Sequence, residues 1–357
     1  MSNRKGKIGL REIASAAQVS VATVSRVLNG SSSVDPATRK IVLDTAAKLD
    51  FDLSQRNKTK AVAFLLCNRM PLHVFQSRVL IGAETFCDAH GWDIVFLSFN
   101  YSPNIPSKEL PLPRVIQRGD VVRGVILAGK NSSNLIELLD HKGLPSVVLG
   151  NNILGKQTDF KNTDVVSSND IQGGEDTVRY LLSLGHRHIC FVGNLRLPWF
   201  ARCSEGYSRA MKAAGLEPRQ SSINSEDDTE IGYLGTKSLL ARGEPVTAIF
   251  AGNDQSARGV YMALRDSGLK IPEDVSVTGC SDTIGGLLYP ALTTIREFPE
   301  QLGKKMVELV LNRIAEPGQK PQLVTMPIEL VKRDSCRRID GPQEIAPEKT
   351  QHSPTID

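Results

Sequence analysis

Hydrophobic spacing changes character twice along this chain. From Leu10 to Phe51 apolar residues recur at helical intervals in short segments broken by polar turns. Leu10 to Ala17 predicts a short helix, Gln18-Val19-Ser20 a tight turn, and Val21 to Asn29 a second helix that buries Val21, Val24 and Leu28, with Val27 alongside. Asp35-Pro36, a capping residue followed by proline at the first helical position, opens a third helix to Asp50. Its apolar positions are Ile41, Leu43, Ala46, Ala47 and Leu49, and Phe51 closes the small core.

Residues 52–60 are polar and basic, and after them strands alternate with helices. Continuous apolar runs fall at Ala61 to Cys67, Trp92 to Ser98, Val121 to Ala128 and Pro145 to Leu149, with helices at Phe75 to His90 and around Asn134 to His141. A second, similar series starts near Val165. It has helices at Gly173 to Leu184, Cys203 to Ala214, Ile231 to Ala241 and Ser256 to Ser267, and strands at Ile189 to Val192, Ala248 to Ala251 and Val275 to Gly279. Unbroken apolar strands between helices predict parallel sheets covered on both faces. The fold class is therefore α/β, a three-helix headpiece followed by two doubly wound lobes with a cleft at their strand ends. Residues 341–357 lack periodicity and predict a disordered tail.

Charge is distributed unevenly over the 357 residues. The first sixty hold eleven Lys/Arg against five acids, a balance of +6, whereas the whole chain carries only +4. A basic excess confined to the N-terminal sixth is what a polyanion-binding arm requires. Six scattered cysteines without a CxxC pair predict buried, reduced thiols rather than a disulfide or zinc framework. No apolar run approaches a membrane span, and the basic start lacks the apolar segment of an export signal, so the expected location is cytoplasmic.

Ser20, Val21, Ala22, Thr23, Ser25, Arg26 and Asn29 fall at the start and on the polar face of the second helix. Small hydroxyl and amide groups let such a face approach phosphates, and a single long guanidinium suits a base edge. A Ser/Thr-rich amphipathic helix is more often a solvated surface helix, and it is the helix-turn-helix position and the local charge that favour DNA reading. The stretch from Leu10 to Asn29 closely resembles the headpiece of the lac repressor family of bacterial transcription factors. Gly185-His186-Arg187, Asn253-Asp254, Pro272 to Val277 and Pro290 to Ile295 also look like landmarks of that family. The resemblance implies lobes like those of periplasmic sugar-binding proteins, with crossings near Ser167–Asn169, Arg296–Pro299 and Met326–Ile328. Lobe 1 would then span about 61–167 and 299–326, and lobe 2 about 168–297 and 327–340.

By the same resemblance the effector-contact positions are Phe75, Arg202, Asn253, Ser281 and Asp282. Departures are informative. Ser281 stands where family members commonly have the first of two acids, Cys203 where a pocket arginine is usual, and Ala128 and Gly150 where sugar-binding members place polar groups. A buried unpaired sugar hydroxyl costs about 1–3 kcal/mol, so a typical neutral sugar is not expected. Gln18 replaces the usual turn glycine, and the short linker lacks the family's Ala-Arg-Ser-Leu hinge core, leaving Leu53 as the only candidate for a minor-groove wedge.

Glu226, Asp227 and Asp228 read as a solvated acidic loop, and His186 and His188 as turn-capping residues. No phosphate-binding loop, nucleophile elbow or metal-ligand spacing occurs, so no catalysis, cofactor or metal is expected. The expected protein is a homodimeric repressor on a pseudo-palindromic double-stranded DNA operator, with no membrane association. Control by a small-molecule effector and control by a protein partner both remain open. A periplasmic solute-binding protein, the third alternative, would need a signal peptide where this chain has its basic headpiece.

Overall fold

A computed structural model of the chain describes residues 9–28, 34–49, 51, 60–70, 73–118, 121–155 and 160–339. Asn29, Leu53 and residues 341–357, to which the sequence assigned a DNA contact, a wedge and a disordered tail, lie outside them. The chain divides into two compact units, residues 1–59 and 60–357.

The first unit contains α1 (Leu10–Ala16), α2 (Val21–Leu28) and α3 (Pro36–Lys48). Asp35 caps α3 by accepting from the Thr38 amide at 2.9 Å, with Pro36 at the first helical position. The core is Ile13, Ala14, Ala17, Val24, Val27, Val42 and Ala46. This corrects two expectations. Val21 is 43% exposed, because the helix starts there and its first turn stands clear of α1 and α3. On α3 the chain buries Val42, while Ile41 (52% exposed) and Leu43 flank it on the outside. A helix turns 100° per residue, so positions on both sides of a buried one cannot share its narrow contact.

The second unit continues with β1 (Ala61–Cys67), α4 (Val74–Ala89), β2 (Asp93–Phe99), α5 (Arg114–Gln117), β3 (Val125–Gly129), β4 (Asn131–Ser132), α6 (Ser133–His141), β5 (Ser146–Leu149), β6 (Ile153–Leu154) and β7 (Thr163–Ser168). Then come α7 (Asp170–Ser183), β8 (Ile189–Gly193), α8 (Pro198–Ala213), β9 (Arg219–Ser222), α9 (Asp228–Ala241), β10 (Ala248–Ala251), α10 (Asp254–Arg265), β11 (Ser276–Ser281) and β12 (Thr293–Arg296). The unit ends with α11 (Pro299–Ala315), β13 (Leu323–Met326) and β14 (Glu329–Val331).

Two six-stranded sheets result, in the orders β13-β7-β5-β3-β1-β2 and β14-β12-β11-β10-β8-β9. The first is parallel throughout, and the second gains one antiparallel edge where β14 meets β12. Every residue of β1 is buried. Ala61, Ala63, Leu65 and Cys67 enter one core, and Val62, Phe64 and Leu66 the core on the opposite face.

The chain passes between the lobes three times, at Asn169, at Glu297-Phe298 and at residues 327–328. The helix α11 returns to lobe 1 and packs across α4. A Cβ on Gly82 would lie 2.0 Å from the Glu300 carbonyl oxygen, and one on Gly303 1.9 Å from that of Val79. The two backbones can approach this closely only because both positions are glycine. A buried ion pair between Arg313 and Asp164 (Nε to Oδ2, 3.0 Å) fastens α11 to β7. Four lobe-2 helices begin earlier than hydrophobic spacing predicts, α8 by five residues, because Pro198, Trp199 and Phe200 form its first turn.

Candidate functional site

In the headpiece the Ser20 hydroxyl accepts the Thr23 amide at 3.0 Å, and the two hydroxyls lie 2.8 Å apart, so both residues build the start of α2. Val24 and Val27 anchor the helix from below, and Val21, Ala22 and Arg26 remain exposed. Ala22 and Arg26 are one turn apart and therefore share a face. Gln18 adopts φ 54°, the left-handed region that favours glycine, at the turn joining α1 to α2. A small residue at the helix start and a long cation one turn on give a surface that fits a major groove.

In the second unit the lobes meet over a cleft with a narrow inner part of about 50 Å³ and a wide mouth of about 770 Å³. Phe75 and Trp199 form apolar walls of the inner part, and Asp170, Cys203, Cys280 and Glu297 line it as well. Asp228, at the first position of α9, is the bridge between the lobes. Its Oδ2 accepts from Arg69 Nη2 of lobe 1 at 2.7 Å, from His73 Nε2 of lobe 1 at 3.1 Å, and from Asn253 Nδ2 of lobe 2 at 3.0 Å. The Arg69 and Asp228 side chains are only 7% and 4% exposed. Burial on its own would raise the Asp228 carboxyl, but the His73 hydrogen bond and the Arg69 charge prevail and hold it below its ordinary pKa. Local capping sets this geometry. Asp227 accepts from the Thr229 and Glu230 amides to start α9, and Asn253 accepts from Ser256 at 2.8 Å, which leaves the Asn253 amide group to donate to Asp228.

Further contacts link the lobes. Arg69 lies 4.7 Å from the Trp199 ring centre, and Lys130 pairs with Glu226 at 2.8 Å. Asn151 donates to Asp170 at 2.6 Å, and Arg78 donates to the Asp282 carbonyl at 3.1 Å. Ser168 donates to Glu297, which sits on the second crossing. Burial raises the Glu297 pKa to about 7, the Ser168 hydrogen bond offsetting only part of it. Among the described residues no group of three or more His, Cys, Asp or Glu could hold a metal ion.

Residues 9–53 match the family described as bacterial regulatory proteins, lacI family. Residues 178–336 match the periplasmic binding protein-like domain. The chain thus carries a lacI-family DNA-binding domain ahead of a periplasmic binding protein-like domain. The HTH-type transcriptional repressor PurR of Edwardsiella ictaluri is 28% identical over 344 residues, covering 93% of this chain and 97% of its own. A solved complex of the transcriptional regulator CelR with cellobiose has a TM-score of 0.67 at 27% identity, covering 92% of this chain and 99% of CelR. The lac repressor dimer bound to operator and anti-inducer has a TM-score of 0.65, covering 93% of this chain and 100% of its own, and at 24% identity it shows a common fold. With that pair of domains the chain is a DNA-binding transcription regulator, and among its described residues no helix is long and apolar enough to cross a membrane.

The residues matched to the family's effector positions are dispersed by the structure. Phe75, Asn253 and Ser281 line the inner cleft. Arg202 does not. Its Nε donates to Asp170 Oδ1 at 2.8 Å from beside the cleft. The Asp282 carboxylate is held by Arg296 at 2.7 Å and Arg333 at 2.8 Å, away from the lining. Ala128 is packed in the lobe-1 core, and a Cβ on Gly150 would meet Ser167 Oγ at 2.2 Å. The reading of Asp228 as part of a solvated loop is corrected: only Glu226 and Asp227 of that run stay exposed. Its burial depends on Arg69 and His73, more than 150 positions away, and no local spacing signals that pairing. Trp199 and Glu297 were also unread as site residues, although Trp199 is one of only two tryptophans. His186, read as turn-capping, is buried and held between Thr247 and the Arg337 carbonyl, and burial lowers its pKa to about 4.

Proposed function

We propose that this chain is a cytoplasmic, non-enzymatic, sequence-specific repressor that binds a pseudo-palindromic operator as a homodimer. We also propose that its inter-lobe cleft takes a small effector other than a typical neutral sugar. The observation that carries the DNA reading is the exposed Ala22–Arg26 face of α2, held by the buried Val24 and Val27 of a helix-turn-helix core. Ser20, Val21, Thr23, Ser25 and Asn29 complete the proposed contact set. One such unit reads too few base pairs for specificity, so two copies on a two-fold site are required. Leu287 (84% exposed) and Tyr289 (96% exposed) supply apolar surface on lobe 2 that a second copy would cover. Selection of binding sites from random DNA, followed by footprinting, tests this. A palindromic consensus protected by a dimer supports the reading, and uniform binding to all sequences refutes it.

For the effector, Phe75, Asn253 and Ser281 are the proposed contacts within the cleft, with Arg202 and Asp282 acting from outside its lining. Ribose, which occupies a lacI-family regulator from Enterococcus faecium (TM-score 0.66, 27% identity, 78% of this chain and 100% of that one), serves as a control. Neither ribose, glucose nor cellobiose at millimolar concentration should raise the melting temperature. A second reading, control by a protein partner, is favoured by one observation: the chain's own Arg69–Asp228 pair already bridges the lobes.

A further inference from the structure

Resting on the proposal that the cleft takes an effector, the arrangement of its acceptors narrows the chemistry of that effector. Among the described residues, inner cleft and mouth together are lined by five carboxylates but only two permanent cations, Arg69 and Lys130. Both cations are spent on cleft carboxylates, Arg69 on Asp228 and Lys130 on Glu226. Asp170 is paired with Arg202 from outside the lining, which leaves Asp227 and Glu297 without a basic partner within ion-pair distance among the described residues. Glu297, its pKa raised to about 7, is only partly ionised at neutral pH, so the net negative charge that an anion meets here comes chiefly from Asp227 at the exposed mouth, and a cation meets the reverse.

Two unfilled acceptors mark where such a ligand would be held. Asp228 Oδ2 is shared by three donors, whereas Asp228 Oδ1 is buried with no hydrogen-bond partner among the described residues. His73 Nε2 lies 3.1 Å from Asp228 Oδ2 and 3.2 Å from Arg69 Nη2; Arg69 directs a hydrogen of its own at Oδ2, and since a carboxylate oxygen only accepts, Nε2 is assigned the hydrogen of its contact with Oδ2. In the neutral ring His73 Nδ1 is then an acceptor, and it too is buried and unpartnered. His73 lines both the inner cleft and the mouth, and Asp228 lines the mouth. Buried polar groups in folded proteins almost always find partners, so two orphans on one clamp point to a donor supplied from outside the chain. Phe75 and Trp199 add apolar walls next to them.

We propose that the cleft selects a small, positively charged or N–H-rich ligand of the amine, amidine or guanidine class. Asp228 and His73 receive its hydrogens, and anionic compounds are excluded. Asp228 is then the residue that sets specificity.

Benzamidine, benzamide and benzoate share one shape and differ in charge, which suits them as probes of the full-length protein. Binding is followed by Trp199 fluorescence, with Trp92 as the other emitter, and by melting temperature in buffered 0.15 M salt. Benzamidine should give a saturable response, with benzoate at least tenfold weaker and benzamide in between. Asp228→Asn, which keeps the shape and removes the charge, should weaken benzamidine at least tenfold, read in preparations whose melting curve shows a folded protein. Equal or tighter binding of benzoate overturns the inference without reference to any variant. So does the absence of a saturable response to any probe in protein that binds its operator, or unchanged benzamidine affinity in Asp228→Asn. If the wild-type chain selects no operator, the failure lies with the proposed function instead.

Discussion

Replacing Glu297 by glutamine should make the protein more stable at alkaline pH and change it much less in mild acid. The carboxyl is buried on the second crossing, faced by Asp170 and Asp254 as like charges, with Ser168 and Cys280 as hydrogen-bond partners. Its pKa is raised from 4.5 to about 7. Between those values the folded protein holds a proton that the unfolded chain has released. Stability therefore falls as pH rises through that window and stays lower by the full amount above it. A rise of this size corresponds to about 3 kcal/mol, part of it shared with the neighbouring acids. Glutamine keeps an acceptor for Ser168 and carries no charge to desolvate. Urea unfolding followed by circular dichroism at pH 5, 7 and 8.5 reads the difference directly. The variant should lie within about 1 kcal/mol of wild type at pH 5 and exceed it by about 2–3 kcal/mol at pH 8.5. An equal gap at all three values, or a less stable variant at pH 8.5, would show that Glu297 is satisfied as an anion.

Arg26→Ala should weaken operator binding by about 1–3 kcal/mol and leave binding to random DNA nearly unchanged in a salt-controlled mobility shift. Equal losses on both would make Arg26 a phosphate contact. Arg69→Ala leaves the buried Asp228 charge without its main partner and should cost about 3–5 kcal/mol. Small-angle scattering should then show a more open second unit, and an unchanged profile with unchanged stability would remove Arg69 from the clamp. At the headpiece turn, Gln18→Gly should relieve the positive-φ backbone and stabilise the operator-binding unit by roughly 1 kcal/mol, measured by its thermal midpoint. A fall in that midpoint would mean the glutamine side chain contributes more than its backbone costs.

Much of the architecture was legible before folding. Strands such as Ala61–Cys67 are apolar at every position because both faces are covered, and this run-length signal survives without any knowledge of neighbours. The helix-turn-helix was equally readable, since its turn, cap and apolar spacing lie within twenty residues of one another. Burial inside short helices was less secure: Val42 rather than Ile41 or Leu43 faces the headpiece core, a choice made by the direction from which α1 and α2 arrive. The cleft was the least legible part. Glu-Asp-Asp at 226–228 looks solvated, yet folding takes its third carboxylate alone out of water, because Arg69 and His73 arrive from the other lobe and Asn253 from the next strand end. Arg202, one position from where the family's arginine sits, is drawn to Asp170 beside the cleft. Local periodicity is a property of one segment and is written in the sequence. Which charges desolvate one another depends on three chain crossings and exists only once both sheets are assembled.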